Sequence, residues 1–327
     1  MADAPSPDTA SETRGEPFVR DDVRGLLDML KAMNRPPVEE AGAVAGREGM
    51  RAMAQIGEAP AREMAVIKDV TCPGPAGDVP CRFYDTRESR DAGPAVLFIH
   101  GGGFVIGDLE VYHSICTEFA ARLDLPVLSV DYRLAPEAPF PAAPDDCEAA
   151  ARWLASSPKE LGREITGLVI TGDSAGGNLT IVTTNALRDA PADVPVLVQA
   201  PIYPVADEAG RHQSYRDFKE GFFLTGDTMT WFTAQYAADP ESPRNLPLLG
   251  DCSDAPPTVL CTAGLDPLRD SGRAYAACMV KNGTELTYLE FPGIIHGFFT
   301  MRKAIPSGQA DVEAFIDAVG AALGRRK

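Results

Sequence analysis

The chain has 327 residues, a hydrophobic fraction of 45% and a formal net charge of −17 at neutral pH. This length and composition favour a globular protein with a full core, built as one large α/β domain with an insertion or as two smaller domains. The negative charge argues against nucleic acid and anionic membrane surfaces as partners, and no apolar run approaches the length of a membrane span.

The N-terminal sequence up to about residue 15 is rich in Ala, Ser, Pro, Asp and Thr, which predicts disorder. It lacks the basic and then apolar pattern of a secretion signal. The seven cysteines show no framework spacing, and we interpret them as reduced thiols of a cytoplasmic protein.

Two helices are predicted next, over residues 19–33 and 38–56, with Pro36 and Pro37 between them. Helices that precede the first strand of a sheet are a candidate lid. Simple packing against the body is the alternative.

Strands and helices then alternate along the chain. Strands are predicted over 66–71, 79–84, 95–99, 127–131, 168–172, 194–199, 258–262 and 285–291. Helices are predicted over 112–123, 144–156, 175–188, 269–282 and 311–323. This order predicts an α/β fold with a mostly parallel, doubly wound sheet, whose first two strands form an antiparallel edge.

The alternation is interrupted over residues 203–245, where no strand is predicted and aromatic residues are frequent. As a lid over the strand ends, this insertion would line a pocket with apolar surface, to which we assign Phe104, Phe222 and Phe223 as substrate-binding residues. A satellite helix with its own small core is the alternative.

The sequence GLVITGDSAGGNL, at 167–179, is typical of a strand, a tight turn and a helix with Ser174 at the apex. A serine held there takes a strained backbone with positive φ, and Gly172 and Gly176 remove the side chains that would collide. The helix N-terminus then favours developing negative charge beside the hydroxyl.

A serine hydroxyl needs a base to take its proton. Among four histidines, His296 follows the last strand, where it would meet a serine presented by another strand. Asp266 follows the strand between them and is the candidate that orients the imidazole, ahead of Asp270 one turn into the next helix. Asp266 would otherwise cap that helix.

Gly101, Gly102 and Gly103 follow a buried strand and would expose backbone N–H groups. With the N–H of Ala175, these groups would surround a tetrahedral oxyanion. The sequence contains no phosphate-loop, zinc-protease or dinucleotide motif, so we predict neither a metal nor an organic cofactor.

Together these features resemble the bacterial hormone-sensitive-lipase family of esterases, of the GDSAG type. The resemblance covers roughly residues 60–300 and is carried by HGGGF at 100–104, DYRLAPE at 131–137, FPAAPDD at 140–146, GDSAGGNL at 172–179, DPLRD at 266–270 and HGF at 296–298. A departure is Ser271, where many members of the family have Glu.

The resemblance implies an α/β-hydrolase fold with a helical cap. Its segments would be an N-terminal cap segment over 1–55, the first part of the body over 56–202, a cap insertion over 203–245 and the second part of the body over 246–327. It also implies a homodimer.

By motif, Ser174 is the nucleophile, Asp266 the acid and His296 the base. Gly102, Gly103 and Ala175 form the oxyanion hole, and His100 braces the glycine loop. The expected substrate is a small-molecule carboxylic ester with a short to medium acyl chain.

The expected function is therefore a serine carboxylesterase, with activity that falls at acidic pH because His296 must be neutral to accept a proton. Two alternatives stay open: an amidase or acyltransferase that uses the same triad, and a non-catalytic small-molecule receptor on this fold.

Overall fold

The computed structural model describes residues 16–324 of the chain. The predicted disorder of the first 15 residues therefore lies outside the described residues. Eight strands form one sheet in the order β1-β2-β4-β3-β5-β6-β7-β8. The strands are β1 (Val66–Gly74), β2 (Gly77–Asp85), β3 (Gly93–Ile99), β4 (Val127–Val130), β5 (Ile165–Asp173), β6 (Val196–Ile202), β7 (Thr258–Leu265) and β8 (Leu286–Ile295).

The described chain also contains the α-helices α1 (Asp21–Met33), α2 (Val38–Gly57), α3 (His113–Leu123), α4 (Ala142–Ala155), α5 (Ala175–Asp189), α6 (Gln213–Phe218), α7 (Gly226–Tyr236), α8 (Arg269–Lys281) and α9 (Gly308–Gly324). Of these, α3, α4, α5, α8 and α9 pack against strands of the sheet. Strand β2 pairs antiparallel with β1 and β4, whereas the pairs from β4–β3 to β7–β8 are parallel. The predicted α/β fold, with its antiparallel edge, is confirmed.

The core lies on both faces of the sheet because successive side chains of a strand point to opposite sides. In β3, Val96 and Phe98 pack with residues of α3 and α9, such as Phe119 and Phe315. Leu97 and Ile99 of the same strand pack into the second cluster, with α4. Burial on both faces explains why the parallel strands appear in the sequence as continuous apolar runs.

Several strands extend beyond their predicted ends, among them those of the first hairpin and the last strand. The β1–β2 hairpin continues to Gly74 and Gly77, so the turn between these strands is shorter than the six-residue turn expected. Strand β8 continues beyond Phe291 through Pro292 to Ile295. Because β8 is an edge strand, a proline without an N–H is tolerated there, and its extension ends directly before His296.

Helices α1 and α2 and the segment that contains α6 and α7 lie outside the alternating order, as expected of residues 1–55 and 203–245. The backbone of α2 is kinked at Gly42, where φ is +83°. The Thr228 hydroxyl of α7 donates to the Glu39 carboxylate of α2 at 2.9 Å, so the two segments touch. The division of the chain at residues 55, 202 and 245 stays a prediction.

A buried ion cluster fixes the C-terminal end of α2 to the body. The Arg302 guanidinium, six residues after His296, contacts the carboxylates of Glu58 and Glu118 and donates to the Ser114 hydroxyl at 2.8 Å. Burial raises the pKa of Glu58, and the Arg302 charge opposes that rise. A buried carboxylate of this kind is tolerated only when it is paired.

The structure pairs Cys252 and Cys278 in a disulfide, so the expectation that every cysteine is a reduced thiol is wrong. The bond joins the loop before β7 to α8, two segments whose proximity depends on the tertiary fold. Cys72, Cys81, Cys116, Cys147 and Cys261 are free and buried. Within residues 16–324, no helix is long and apolar enough to cross a bilayer.

We predict that the Cys252→Ser/Cys278→Ser variant loses about 3 kcal/mol of unfolding free energy, because the cross-link restrains the unfolded chain. Denaturant titration with and without reductant measures the loss. Reductant should destabilise the wild type by the same amount and leave the variant unchanged. If the unreduced, unfolded wild type exposes seven reactive thiols rather than five, the bond is absent from the purified protein.

Candidate active site

Ser174 occupies the turn between β5 and α5 with a backbone conformation of φ +56° and ψ −116°. Its N–H donates to the Ile202 carbonyl, and its own carbonyl accepts from the Asn178 N–H, both at 2.9 Å. Few residues other than glycine adopt a positive φ, so these surrounding contacts must hold the serine in place.

Gly172 and Gly176 lie on either side of this serine. A side chain at either position would collide with the carbonyl oxygen of Ile99 at the end of the neighbouring strand β3. The steric reason predicted for these two glycines therefore has a specific origin, which is the close approach of the β3 backbone to the serine turn.

Three polar side chains from separate loops meet at this turn. The Nε2 atom of His296 lies 2.8 Å from Ser174 Oγ, and its Nδ1 atom lies 2.7 Å from Asp266 Oδ2. All three residues are buried. An ionised carboxylate only accepts hydrogen bonds, so Nδ1 carries the proton and the Nε2 lone pair faces the serine hydroxyl.

Both oxygens of the Asp266 carboxylate accept hydrogen bonds. Oδ2 faces His296, and Oδ1 accepts from the Leu268 N–H at 2.8 Å in the turn before α8, whose N-cap residue is Leu268 and not Asp266. The Asp270 carboxylate instead accepts from the Ser214 N–H at 2.9 Å and from the Arg269 guanidinium. Of these two carboxylates, only that of Asp266 is hydrogen-bonded to the imidazole.

The glycine loop after β3 lies beside the serine. Gly102 and Gly103 have φ of +113° and +60°, and both line the same cavity as Ser174. Among the hydrogen bonds of the described residues, neither glycine N–H has an acceptor. Ala175 opens α5 and is fully buried, so its N–H belongs to the free first turn of that helix.

Asp173 was not singled out in the sequence. Its buried carboxylate accepts from the Gly101 N–H at 2.8 Å and from the hydroxyls of Tyr112 at 3.2 Å and Tyr203 at 3.4 Å. Burial raises the pKa of Asp173 to about 6. Asp173 therefore ties the glycine loop to the strand end that carries Ser174. The signal in the sequence that could have indicated this role is an acidic residue at the end of an apolar strand.

His100 holds the same loop from the other side. Its Nδ1 lies 2.8 Å from the Gly101 carbonyl, and its ring stacks on Tyr132 with the centroids 4.2 Å apart. Burial lowers the pKa of His100 to about 4, so the ring is neutral at physiological pH and its Nδ1–H donates to the carbonyl. This contact matches the bracing role that the sequence resemblance implies for His100.

A cavity of about 1370 Å³ opens onto Ser174 and His296. Its wall comes from the strand ends, from α1 and α2 and from the insertion, and Phe104, Phe222 and Phe223 are all in contact with it. Five methionines also line it: Met33, Met50, Met53, Met229 and Met301. Because methionine is flexible and polarisable, such a wall adapts to apolar groups of different shape.

The sheet order, the serine turn and the contacts of Ser174, His296 and Asp266 define an α/β hydrolase. A family model described as the alpha/beta hydrolase fold matches residues 96–300. The chain belongs to this family, and the resemblance to hormone-sensitive-lipase-type esterases is confirmed.

Several named relatives are ester hydrolases. The carboxylic ester hydrolase LipN of Mycobacterium tuberculosis is 37% identical over 86% of this chain and 77% of its own. The ethyl acetate hydrolase of Pseudomonas putida is 36% identical over 74% of this chain and 78% of its own.

Two similar solved structures are also an ester hydrolase and an esterase. An ester hydrolase from the Lake Arreo metagenome, solved with a bipyridine phosphonate derivative, has a TM-score of 0.89 at 37% identity and covers 94% of this chain and 100% of its own. A hyperthermophilic esterase of the archaeon Pyrobaculum calidifontis has a TM-score of 0.86 at 33% identity and covers 93% of this chain and 98% of its own.

We predict that Asp173→Asn removes part of the pH dependence of stability. With a pKa of about 6 when folded and about 3.9 when unfolded, Asp173 binds more protons in the folded state between these values. Its contribution to the unfolding free energy therefore falls as pH rises through this window and is constant above it.

Chemical denaturation at pH 5 and pH 7 measures the effect. The unfolding free energy of the wild type should fall by about 1 kcal/mol more than that of Asp173→Asn over this interval. An equal change in both proteins would show that the folded state does not raise the pKa of this carboxyl.

Proposed function

We propose that this chain is a serine carboxylesterase that cleaves carboxylic esters through an acyl-enzyme. The observation that carries the proposal is the line of contacts Ser174–His296–Asp266, with distances of 2.8 and 2.7 Å, beside two glycine amides on the same cavity. The named ester hydrolases among its relatives support it.

The first half of the reaction forms the acyl-enzyme. Ser174 Oγ attacks the ester carbonyl while His296 Nε2 takes its proton, and Asp266 stabilises the imidazolium that forms. The negative charge on the former carbonyl oxygen is received by the N–H groups of Gly102, Gly103 and Ala175. The intermediate then expels the alcohol, which takes its proton from His296.

Water completes the cycle. It enters as the second nucleophile, gives its proton to His296 and releases the acid from Ser174. Each proton that His296 takes is returned within the same half-reaction, so the residues present suffice for ester hydrolysis. A non-catalytic receptor is disfavoured because such a protein has no need of a base at 2.8 Å from the serine.

The substrate we propose is a small ester with a short to medium acyl chain, held by Phe104, Phe222 and Phe223. The apolar and methionine-rich cavity wall supports an apolar acyl or alcohol group. The N-terminal helices and the insertion that contains α7 act as a cap over this cavity. This role is supported by the many residues of α1, α2 and α7 that line the cavity.

A homodimer is part of the same proposal. The position of β8 at the end of the sheet supports it, because the outer edge of a terminal strand is a place where two copies can pair. Sedimentation analysis of the purified chain decides between monomer and dimer. A cytoplasmic location is supported by five free, buried thiols and opposed by the Cys252–Cys278 disulfide, a type of bond that is rare in reducing compartments.

We predict that Ser174→Ala abolishes turnover of a short-chain p-nitrophenyl ester, with kcat reduced by at least about 10⁴-fold. The exposed Ser156→Ala variant is the control and should keep wild-type rates. Rates with the matching anilide compare esterase with amidase activity. If Ser174→Ala hydrolyses the ester at the wild-type rate, the mechanism is wrong.

We predict that Asp266→Asn reduces kcat by about 10³- to 10⁴-fold, because an amide no longer favours the required imidazole tautomer or stabilises the imidazolium. Asp270→Asn is the matched control, because Asp270 lies only four residues further along the chain. Its kcat should stay within about threefold of wild type, since the Asp270 carboxylate contacts Ser214 and Arg269. If Asp270→Asn instead loses more kcat than Asp266→Asn, Asp270 is the acid of the triad.

A further inference from the structure

The oxyanion donors that we assign are backbone N–H groups, so their direction is set by whatever holds their peptide planes. In a trans peptide the C=O and the N–H point to opposite sides. The carbonyl of Gly102 and the N–H of Gly103 belong to one peptide. A contact that fixes the Gly102 carbonyl therefore aims the Gly103 N–H.

The Gly102 carbonyl is fixed from within its own turn. It accepts from the N–H of Ile106 at 2.9 Å and from the N–H of Val105 at 3.1 Å. The Ile106 N–H belongs in turn to the peptide whose carbonyl is that of Val105. The direction of the Gly103 N–H thus depends on how the Val105–Ile106 peptide is held.

Arg47 of the cap helix α2 holds that peptide. Its Nε donates to the Val105 carbonyl at 2.9 Å, and its Nη2 donates to the Ala135 carbonyl at 3.0 Å. The Ala135 N–H donates to the Phe104 carbonyl at 2.9 Å, so the same guanidinium reaches the turn by a second route. Glu137 accepts from both terminal nitrogens of Arg47 and keeps the planar group in register.

The helix backbone also comes close at this point. A Cβ added to Gly46 would lie 3.3 Å from the Ile106 side chain, and the Arg47 side chain is only 22% exposed. Arg47 lies outside the cavity wall, although its neighbours Gly46 and Gly49 are part of it. Arg47 therefore does not contact the cavity itself, and it reaches the glycine turn through the backbone carbonyls that it binds.

We propose that Arg47 is a positioning residue for the oxyanion hole: a guanidinium on the cap that orients and polarises the Gly103 N–H through the peptides 105–106 and 102–103. The inference rests on the proposed function. A positive donor on the Val105 carbonyl makes the Ile106 N–H a stronger donor, and this effect passes to the next peptide in the chain of hydrogen bonds. The cap is thus coupled to transition-state stabilisation as well as to substrate binding.

The test compares Arg47→Met with Arg51→Met. Arg51 lies one turn further along α2 and also pairs the cap with the body, but through the side chain of Asp108 and not through a carbonyl of the turn. The first readout is steady-state hydrolysis of a p-nitrophenyl ester. The second is inhibition by an alkyl trifluoromethyl ketone. Ser174 Oγ adds to the carbonyl carbon of this ketone, and the resulting oxyanion lies in the oxyanion hole.

Arg47→Met should lower kcat by about 10-fold, less than the 10²- to 10³-fold of a deleted donor. It should weaken ketone inhibition by a similar factor and leave KM within about twofold. Arg51→Met should change each quantity by less than about twofold. Equal losses in both variants, or a raised KM with kcat and ketone affinity unchanged, would overturn the proposal, since Arg47 would then only seat the cap.

If Arg47→Met does not fold, Arg47→Lys carries the same test, because a single ammonium cannot reach both carbonyls and the carboxylate. A threefold or greater loss of ketone affinity at constant KM supports the proposal, and unchanged affinity overturns it. Failure of the proposed function looks different: the wild type itself would neither hydrolyse the ester nor bind the ketone, which would overturn both.

Discussion

The turn that carries Ser174 lies directly against the end of β3, and this close packing sets which residues the turn can contain. Gly172 and Gly176 leave room for the Ile99 carbonyl, and no larger residue fits at either position. Strands β3 and β5 are neighbours in the sheet, whereas the chain visits β4 on the other side of β3 between them. The site thus lies where the winding of the sheet reverses, which is where parallel α/β sheets leave a crevice at their strand ends.

The close approach of these two strands also explains the buried polar groups around the serine. The Asp173 carboxylate crosses from the end of β5 to the Gly101 N–H beyond β3, and His100 holds the carbonyl of the same glycine. Each of these groups loses hydration in a buried position and is tolerated because specific partners replace water. The glycine loop is therefore held by the side chains of Asp173 and His100, although the glycines have no side chains that could anchor it.

Much of this could be predicted from the sequence because each element has a local signature. The inner parallel strands are largely apolar runs, and Ser174, Asp266 and His296 each follow a parallel strand. Since parallel strands end at one edge, their order in the chain was enough to expect them together. Their catalytic roles, like those of Gly102, Gly103 and Ala175, stay predictions that the geometry supports.

What could not be predicted depends on partners that are remote in the chain. Arg302 meets Glu58 across 244 positions, and Arg47 meets Val105 across 58. Single charged residues of this kind look like solvated surface in a sequence. The pairing of Cys252 with Cys278 and the continuation of β8 through Pro292 likewise depend on neighbours that only the folded chain supplies.

The proposed reaction requires Ser174 to carry the acyl group of the substrate during turnover. This is tested by rapid mixing of the enzyme with a p-nitrophenyl ester, acid quenching within the first turnover and mass spectrometry of the digested protein. We expect a burst of nitrophenol and one acyl group on the peptide that contains Ser174. An acyl group on another residue, or turnover with no acylated protein at any quench time, would contradict it.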